Sequence, residues 1–336
     1  MTLYKEFMRR LFRVGITLLI LSAVAALIYS IMDCVGVAPV YVTSPIQMTP
    51  TLAFYAYIGG AGLAFAGFSF LNRRTESDFY HSIPVRRTNL YISVTAAAAT
   101  WMLITIALCV AVSTAVHLAT RTPFAPAYPF MNIAFFFAAA LLVFAAAAIG
   151  CTITGTWFTN LILTCLVLFL PRYILFMIGR TIVADTEVIS WLDLRGLLDP
   201  RTNAATGLIV MLSRSMLQGS IVSLGSILWS LALALAELAA GAMLFRRRPS
   251  ELAEQGAGSR VLQTLFACLL ALPLLLLLML RADAAGTIFI CIIAAASLAC
   301  YVIYQVIVLK NAKRVLLSLP WNLCTVFAGA AILFGA

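Results

Sequence analysis

The chain has 336 residues, 63% of them hydrophobic and only 10% charged, with a mean hydropathy of +1.06. Soluble domains are about 45–50% apolar and about 25% charged, so this composition excludes an ordinary soluble fold and points to an all-α, polytopic transmembrane bundle. The net charge of +10 would suggest nucleic acid in a soluble protein, but here it reads as basic loops on the inner side of a membrane, and no nucleic-acid partner is expected.

In chain order, residues 1–13 come first and read as an amphipathic interfacial helix. Leu3, Tyr4, Phe7, Met8, Leu11 and Phe12 share one half of the wheel; Lys5, Glu6, Arg9, Arg10 and Arg13 share the other. The competing reading is the basic flank of a signal peptide, but the run that follows, 14–32, is long for a signal core and lacks a small-x-small cleavage site. Apolar runs then recur at 52–71, 90–118, 130–154, 158–178, 221–245, 261–280, 286–308 and 316–335, giving nine spans with the first. The tightest junction is 151–160, where two spans must turn with few polar residues. With the N-terminus inside, the inner segments hold 15 Lys and Arg residues and the outer segments seven, which fixes a cytoplasmic N-terminus. Residues 179–220 read as a long outer segment; Val188–Leu198 suggests a short interfacial helix ended by Pro200, and 204–217 is apolar enough to dip into the membrane without crossing. The stretch RRRPSELAEQGAGSR contains the linker 249–260, which separates six spans (14–248) from three (261–336). The eight cysteines include no C-x-x-C pair and read as small packing residues.

One loop stands apart. Residues 73–89, between the second and third spans, contain RTESDFYHSIPVRRTN. Thr75-x-x-Asp78 has capping-box spacing, Pro84 disfavours helix at Ile83, and Thr88 can cap the next span; together they predict a helix over 76–82. Arg73, Arg74, Arg86 and Arg87 suit a plain anchoring role. Phe79, Tyr80 and Ile83 do not, because an apolar face needs somewhere to pack: on headgroups, on the inner ends of spans, or in the groove of a soluble partner.

An amphipathic entry, six spans, a helical loop after the second and a long outer segment before the sixth resemble the permease of a type-2 ABC exporter. SDFYHSIPVRRTNLYIS (77–93) resembles the YHSLP-type loop of one bacterial branch of that family, and LFRRRPSE (244–251) and YVIYQVIVLKNAKRVLLSLP (301–320) resemble other segments of it. The resemblance implies a coupling helix that docks on a separate ABC ATPase subunit. Phe79, Tyr80 and Ile83 would fill its groove; Glu76, Asp78, His81 and Arg86 would set register at the rim. It also implies a bacterial cell membrane, a second permease chain as homo- or heterodimer, and a path near spans two and five.

The residues themselves carry no P-loop, no G-x-S-x-G and no H-E-x-x-H, so neither catalysis nor a metal or other cofactor in this chain is expected. Glu237 is the one acid well inside a span. It could line a substrate path or carry protons in an ion-coupled transporter, or it could reach the interface and pair with Arg246–Arg248. A membrane scaffold or sensor subunit without transport is the third reading. Gly59, Gly60, Gly62 and Gly67 predict close helix approach in span two, and Pro171 and Pro273 predict kinks.

Overall fold

A computed structural model of the chain describes residues 2–36, 50–121, 127–185, 224–256, 259–281, 287–309 and 312–334. These residues are helical and turn, with no strand among them. Six helical stretches are long and apolar enough to cross a membrane: Leu3–Met32, Arg87–Ala119, Pro129–Ile153, Ile227–Arg247, Val261–Leu278 and Ile290–Leu309. Two shorter apolar stretches, Thr51–Gly67 and Trp157–Pro171, accompany them. The chain is an all-helical, multi-pass membrane protein. The expected interfacial helix near 188–198 and the dipping stretch 204–217 lie outside the described residues.

Two compact units are present, one from residues 1–152 and 200–251, the other from 153–199 and 252–336. The first contains α1 (Thr2–Gly36), α2 (Pro50–Gly67), α3 (Arg74–Ser82), α4 (Arg87–Ala119), α5 (Tyr128–Ile153) and α7 (Leu224–Arg247). Helix α5 is its core: every residue from 138 to 148 is buried. That stretch is apolar on all sides, as a helix surrounded by other helices must be. Its alanines let neighbours approach closely. A Cβ on Gly60 of α2 would stand 2.7 Å from the Ala140 carbonyl oxygen, and one on Gly67 would stand 2.8 Å from Val94. Gly62 faces open space, so the close-approach expectation holds for only part of the glycine set.

Helix α1 runs beside α4. Gly15 and Phe12 pack on Trp101, Tyr4 Oη lies 3.1 Å from Thr100 Oγ1, and Thr120 Oγ1 reaches Cys34 Sγ at the far end. The amphipathic segment 1–13 and the run 14–32 are one continuous helix of 35 residues. At 1.5 Å per residue it is about 50 Å long, well beyond the ~30 Å hydrocarbon core, so part of it extends outside that core.

The second unit contains α6 (Trp157–Asp185), α8 (Arg260–Arg281), α9 (Thr287–Leu309), α10 (Ala312–Ser318) and α11 (Asn322–Phe334). Leu163, Leu166 and Leu170 of α6 pack with Phe266 and Leu272 of α8 and with Tyr301 and Tyr304 of α9. Helix α6, grouped with the first six spans on sequence grounds, therefore packs with the last three helices; complementary faces decide this, not order along the chain. Helix α6 also continues to Asp185, into the stretch expected as an outer segment. Pro171 and Pro273 both lie inside helices, and Tyr173 Oη donates to the Pro273 carbonyl at 3.0 Å.

The tight junction is a three-residue turn, 154–156, fastened to the 252–256 segment. Gly155 N donates to the Gln255 carbonyl at 2.9 Å, and Glu254 N donates to the Gly155 carbonyl at 3.0 Å. A Cβ at Gly155 would stand 1.9 Å from the Leu252 carbonyl oxygen, so only glycine fits. The 249–260 linker is thus partly structured, with Glu254 in the left-handed region at φ 69°.

Candidate functional site: the short helix between α2 and α4

After α2 the chain makes a 3-10 turn, Ser69–Asn72, and passes through an extended Arg73 at φ −119°, ψ 125°. Helix α3 then starts at Arg74, two residues earlier than predicted, and stops where Pro84 forces Ile83 to φ −66°, ψ 132°. Neither predicted cap forms. Arg73 is the N-cap of α3 and Arg86 that of α4, each without a side-chain cap bond. Thr75 and Thr88 fall inside the first turn, where a hydroxyl no longer faces the free N–H groups of the helix end. The end of α3 matches the sequence and its start does not, because proline acts on its neighbour regardless of context.

The helix has two distinct faces. Glu76, Ser77 and Tyr80 turn inward; Arg74, Thr75, Asp78, Phe79 and Ser82 turn outward and are exposed. The sequence places Phe79 and Tyr80 together as one docking face, but they separate here. Phe79 is 63% exposed. The Tyr80 ring lies 4.5 Å from Phe70 and 5.9 Å from Phe7. From Phe70 the rings continue into the unit: Phe68 packs on Tyr91 of α4 at 5.3 Å and on Phe144 of α5 at 6.2 Å, and Phe70 packs on Phe245 of α7 at 6.5 Å. Such pairs contribute about 0.5–1.5 kcal/mol each beyond their area. Ile83 is half-buried at the C-cap and Arg86 is exposed at the start of α4. His81 lies on α3, with its side chain outside the described residues.

Four arginines, Arg10, Arg73, Arg87 and Arg248, make specific contacts here. Arg10 of α1 donates to Tyr80 Oη at 2.9 Å, Ser69 Oγ at 2.9 Å and Glu76 Oε2 at 2.8 Å. Arg73 adds a second bond to Glu76, at 3.0 Å. Partial burial pushes the Glu76 carboxyl up, but hydrogen bonds and charge from Arg10, then Arg73, outweigh it and hold the group below the usual carboxylate range. Arg248, only 3% exposed, donates to the Leu71 carbonyl at 2.9 Å and to the Thr152 and Cys151 carbonyls. Burial pulls its guanidinium down to about 10, still protonated at neutral pH. Arg87 donates to the Arg248 carbonyl at 2.6 Å and so satisfies the end of α7.

The sequence held one signal for Arg10. It lies three residues after Phe7 and one before Leu11, both fully buried, so it borders the apolar stripe. Nothing comparable marks Arg248 within its run of three arginines.

Glu237 of α7 stays apart from this cluster. It is half-buried, and its Oε2 is buried with no hydrogen-bond partner. The alternative of a pairing with Arg246–Arg248 is not seen: the buried Oε2 has no hydrogen-bond partner, and Arg248 donates to the Leu71, Cys151 and Thr152 carbonyls. One turn along, Gly241 accommodates Tyr91 Oη, where a Cβ would stand 2.4 Å away. No cluster of three or more His, Cys, Asp or Glu side chains suited to a metal exists among the described residues.

The chain matches no family model, and neither a curated protein nor a solved structure matches it.

Proposed function

We propose that the protein is the membrane-spanning subunit of an ATP-driven exporter of the type-2 ABC class, working with a separate ABC ATPase subunit and a second permease chain. In this reading the bilayer is a bacterial cell membrane, the N-terminus is cytoplasmic, and α2, the apolar half of α6 and the segment ending in α11 bring the crossings to nine. ATP is bound and hydrolysed on the partner, and no cofactor resides in this chain.

One observation carries the reading. A short polar helix between two apolar helices is built firmly on its inner side and bears an exposed aromatic, Phe79, flanked by Asp78, Arg74 and Ser82 on its outer side. A solvated anchoring loop has no need of a fixed inner face. A large exposed aromatic on a rigid platform is the form of a docking contact, where one buried ring carries much of the binding energy.

The test is affinity capture from the native cells, with the captured proteins identified and an ABC ATPase sought among them. Full-length protein should capture that ATPase, and Phe79→Ala should weaken capture by on the order of tenfold or more while the protein still folds. Wild-type protein that captures no ATPase, or Phe79→Ala that captures it equally well, defeats the reading.

A second reading, ion-coupled transport, has one observation in its favour: the buried, unpartnered Oε2 of Glu237. Transport that survives ATP depletion and is lost in Glu237→Gln would select it.

A further inference from the structure

On the docking reading above, a push on the outer face of α3 must reach the spans through the contacts that fasten this helix. Helix α3 is fastened at two points, each by an arginine that takes no part in the outer face. Arg10 grips its inner side through Tyr80 and Glu76 and the preceding turn through Ser69, and its guanidinium also lies 5.4 Å from the centre of the Tyr80 ring and 5.6 Å from that of Phe70. Arg248 grips its root, the Leu71 carbonyl, from beneath. Of the two cations on Glu76, Arg73 is 74% exposed and open to screening by water and salt; Arg10 is 23% exposed.

We propose that Arg10 is a positioning residue that makes α3 and the first turns of α1 one body. A load applied at Phe79 then passes into α1 and along its packing on α4, with Arg248 holding the root as the fixed end. The requirement is for arginine and not simply for positive charge. A planar guanidinium can serve a carboxylate, a phenol and a hydroxyl together while stacking on rings, whereas a lysine ammonium offers a point charge without the fork or the stacking plane. If Arg10 were only a topology anchor, lysine would serve as well.

The test uses full-length protein, its native cysteines replaced by alanine, in lipid vesicles with the captured ATPase, and spin labels at Ser82→Cys and Thr17→Cys. Wild type and the control Arg9→Lys should each give one narrow distance. Arg10→Lys should broaden it, keep ATPase capture, and lose on the order of tenfold of the ATP-driven change in thiol labelling of Leu21→Cys in the spanning part of α1. Glu76→Gln, which keeps an acceptor but not the charge, should fall between. A narrow distance together with a full ATP response in Arg10→Lys overturns the proposal, as does a broadened distance with an undiminished response. Wild type that captures no ATPase overturns the docking reading and the load path with it, while the nucleotide-free distance still decides the fastening.

Discussion

The α3 loop of the first unit and the Gly155 turn of the second solve one problem in opposite ways. Each must hold a short connection between apolar helices in a fixed shape. The α3 loop does it with side chains: guanidinium forks, a carboxylate and a run of aromatic rings. The Gly155 turn does it mainly with backbone bonds and the lack of a Cβ, helped by short-range threonine bonds from Thr154 to Asn160 and from Thr156 to Thr159. The first solution leaves one face of a helix free to carry exposed groups; the second brings two backbones together and turns its threonines to nearby partners. The difference suits a surface that meets a partner and a joint that does not.

The comparison can be broken most forcefully at its two rigid points. Arg248→Met strips donors from buried carbonyls, each costing about 1–3 kcal/mol when left unsatisfied, so we expect a loss of roughly 4 kcal/mol in denaturant titrations of the purified protein. A loss under 1 kcal/mol would mean that the carbonyls find other partners. Gly155→Ala should cost about 3 kcal/mol, since the clash is with backbone, and proteolysis should then begin at the 154–156 or 252–256 segment. Tyr80→Ala should cost about 2 kcal/mol through lost ring packing, whereas Phe79→Ala should stay within about 0.5 kcal/mol of wild type. Equal costs for these neighbours would abolish the distinction between inner and outer faces.

Acid sharpens the contrast further. The folded-state value of Glu76 is depressed, so its contribution is fully present above the ordinary carboxylate value of about 4.3 and is lost as pH falls through the lower folded value. A fluorophore on Ser82→Cys should therefore report release of α3 only below about pH 4. The Gly155 turn, held by backbone, should show no such step. Release of α3 already above the ordinary carboxylate range would contradict the role given to Glu76.

What the sequence disclosed follows from the range of each effect. Long apolar runs and a proline act locally, so most of the helices, the turn at 154–156 and the end of α3 at Ile83 were readable. The partners of Arg10 lie 59 to 70 residues away and those of Arg248 up to 177 away, so no window of sequence reveals them. Phe79 and Tyr80 are adjacent and both aromatic; only the position of Phe70 shows which one turns inward. The grouping of α6 with α8 and α9 was hidden for the same reason, because apolar faces look alike until they are packed.

The most direct measurement is site-specific cross-linking from Phe79 in intact cells. With a photoreactive residue at position 79, the ABC ATPase should be captured on the cytoplasmic side, and the same group at the inward position 80 should give little product. Labelling of Phe79→Cys by a membrane-impermeant thiol reagent added outside intact cells would place α3 on the wrong side of the membrane and contradict the docking role outright.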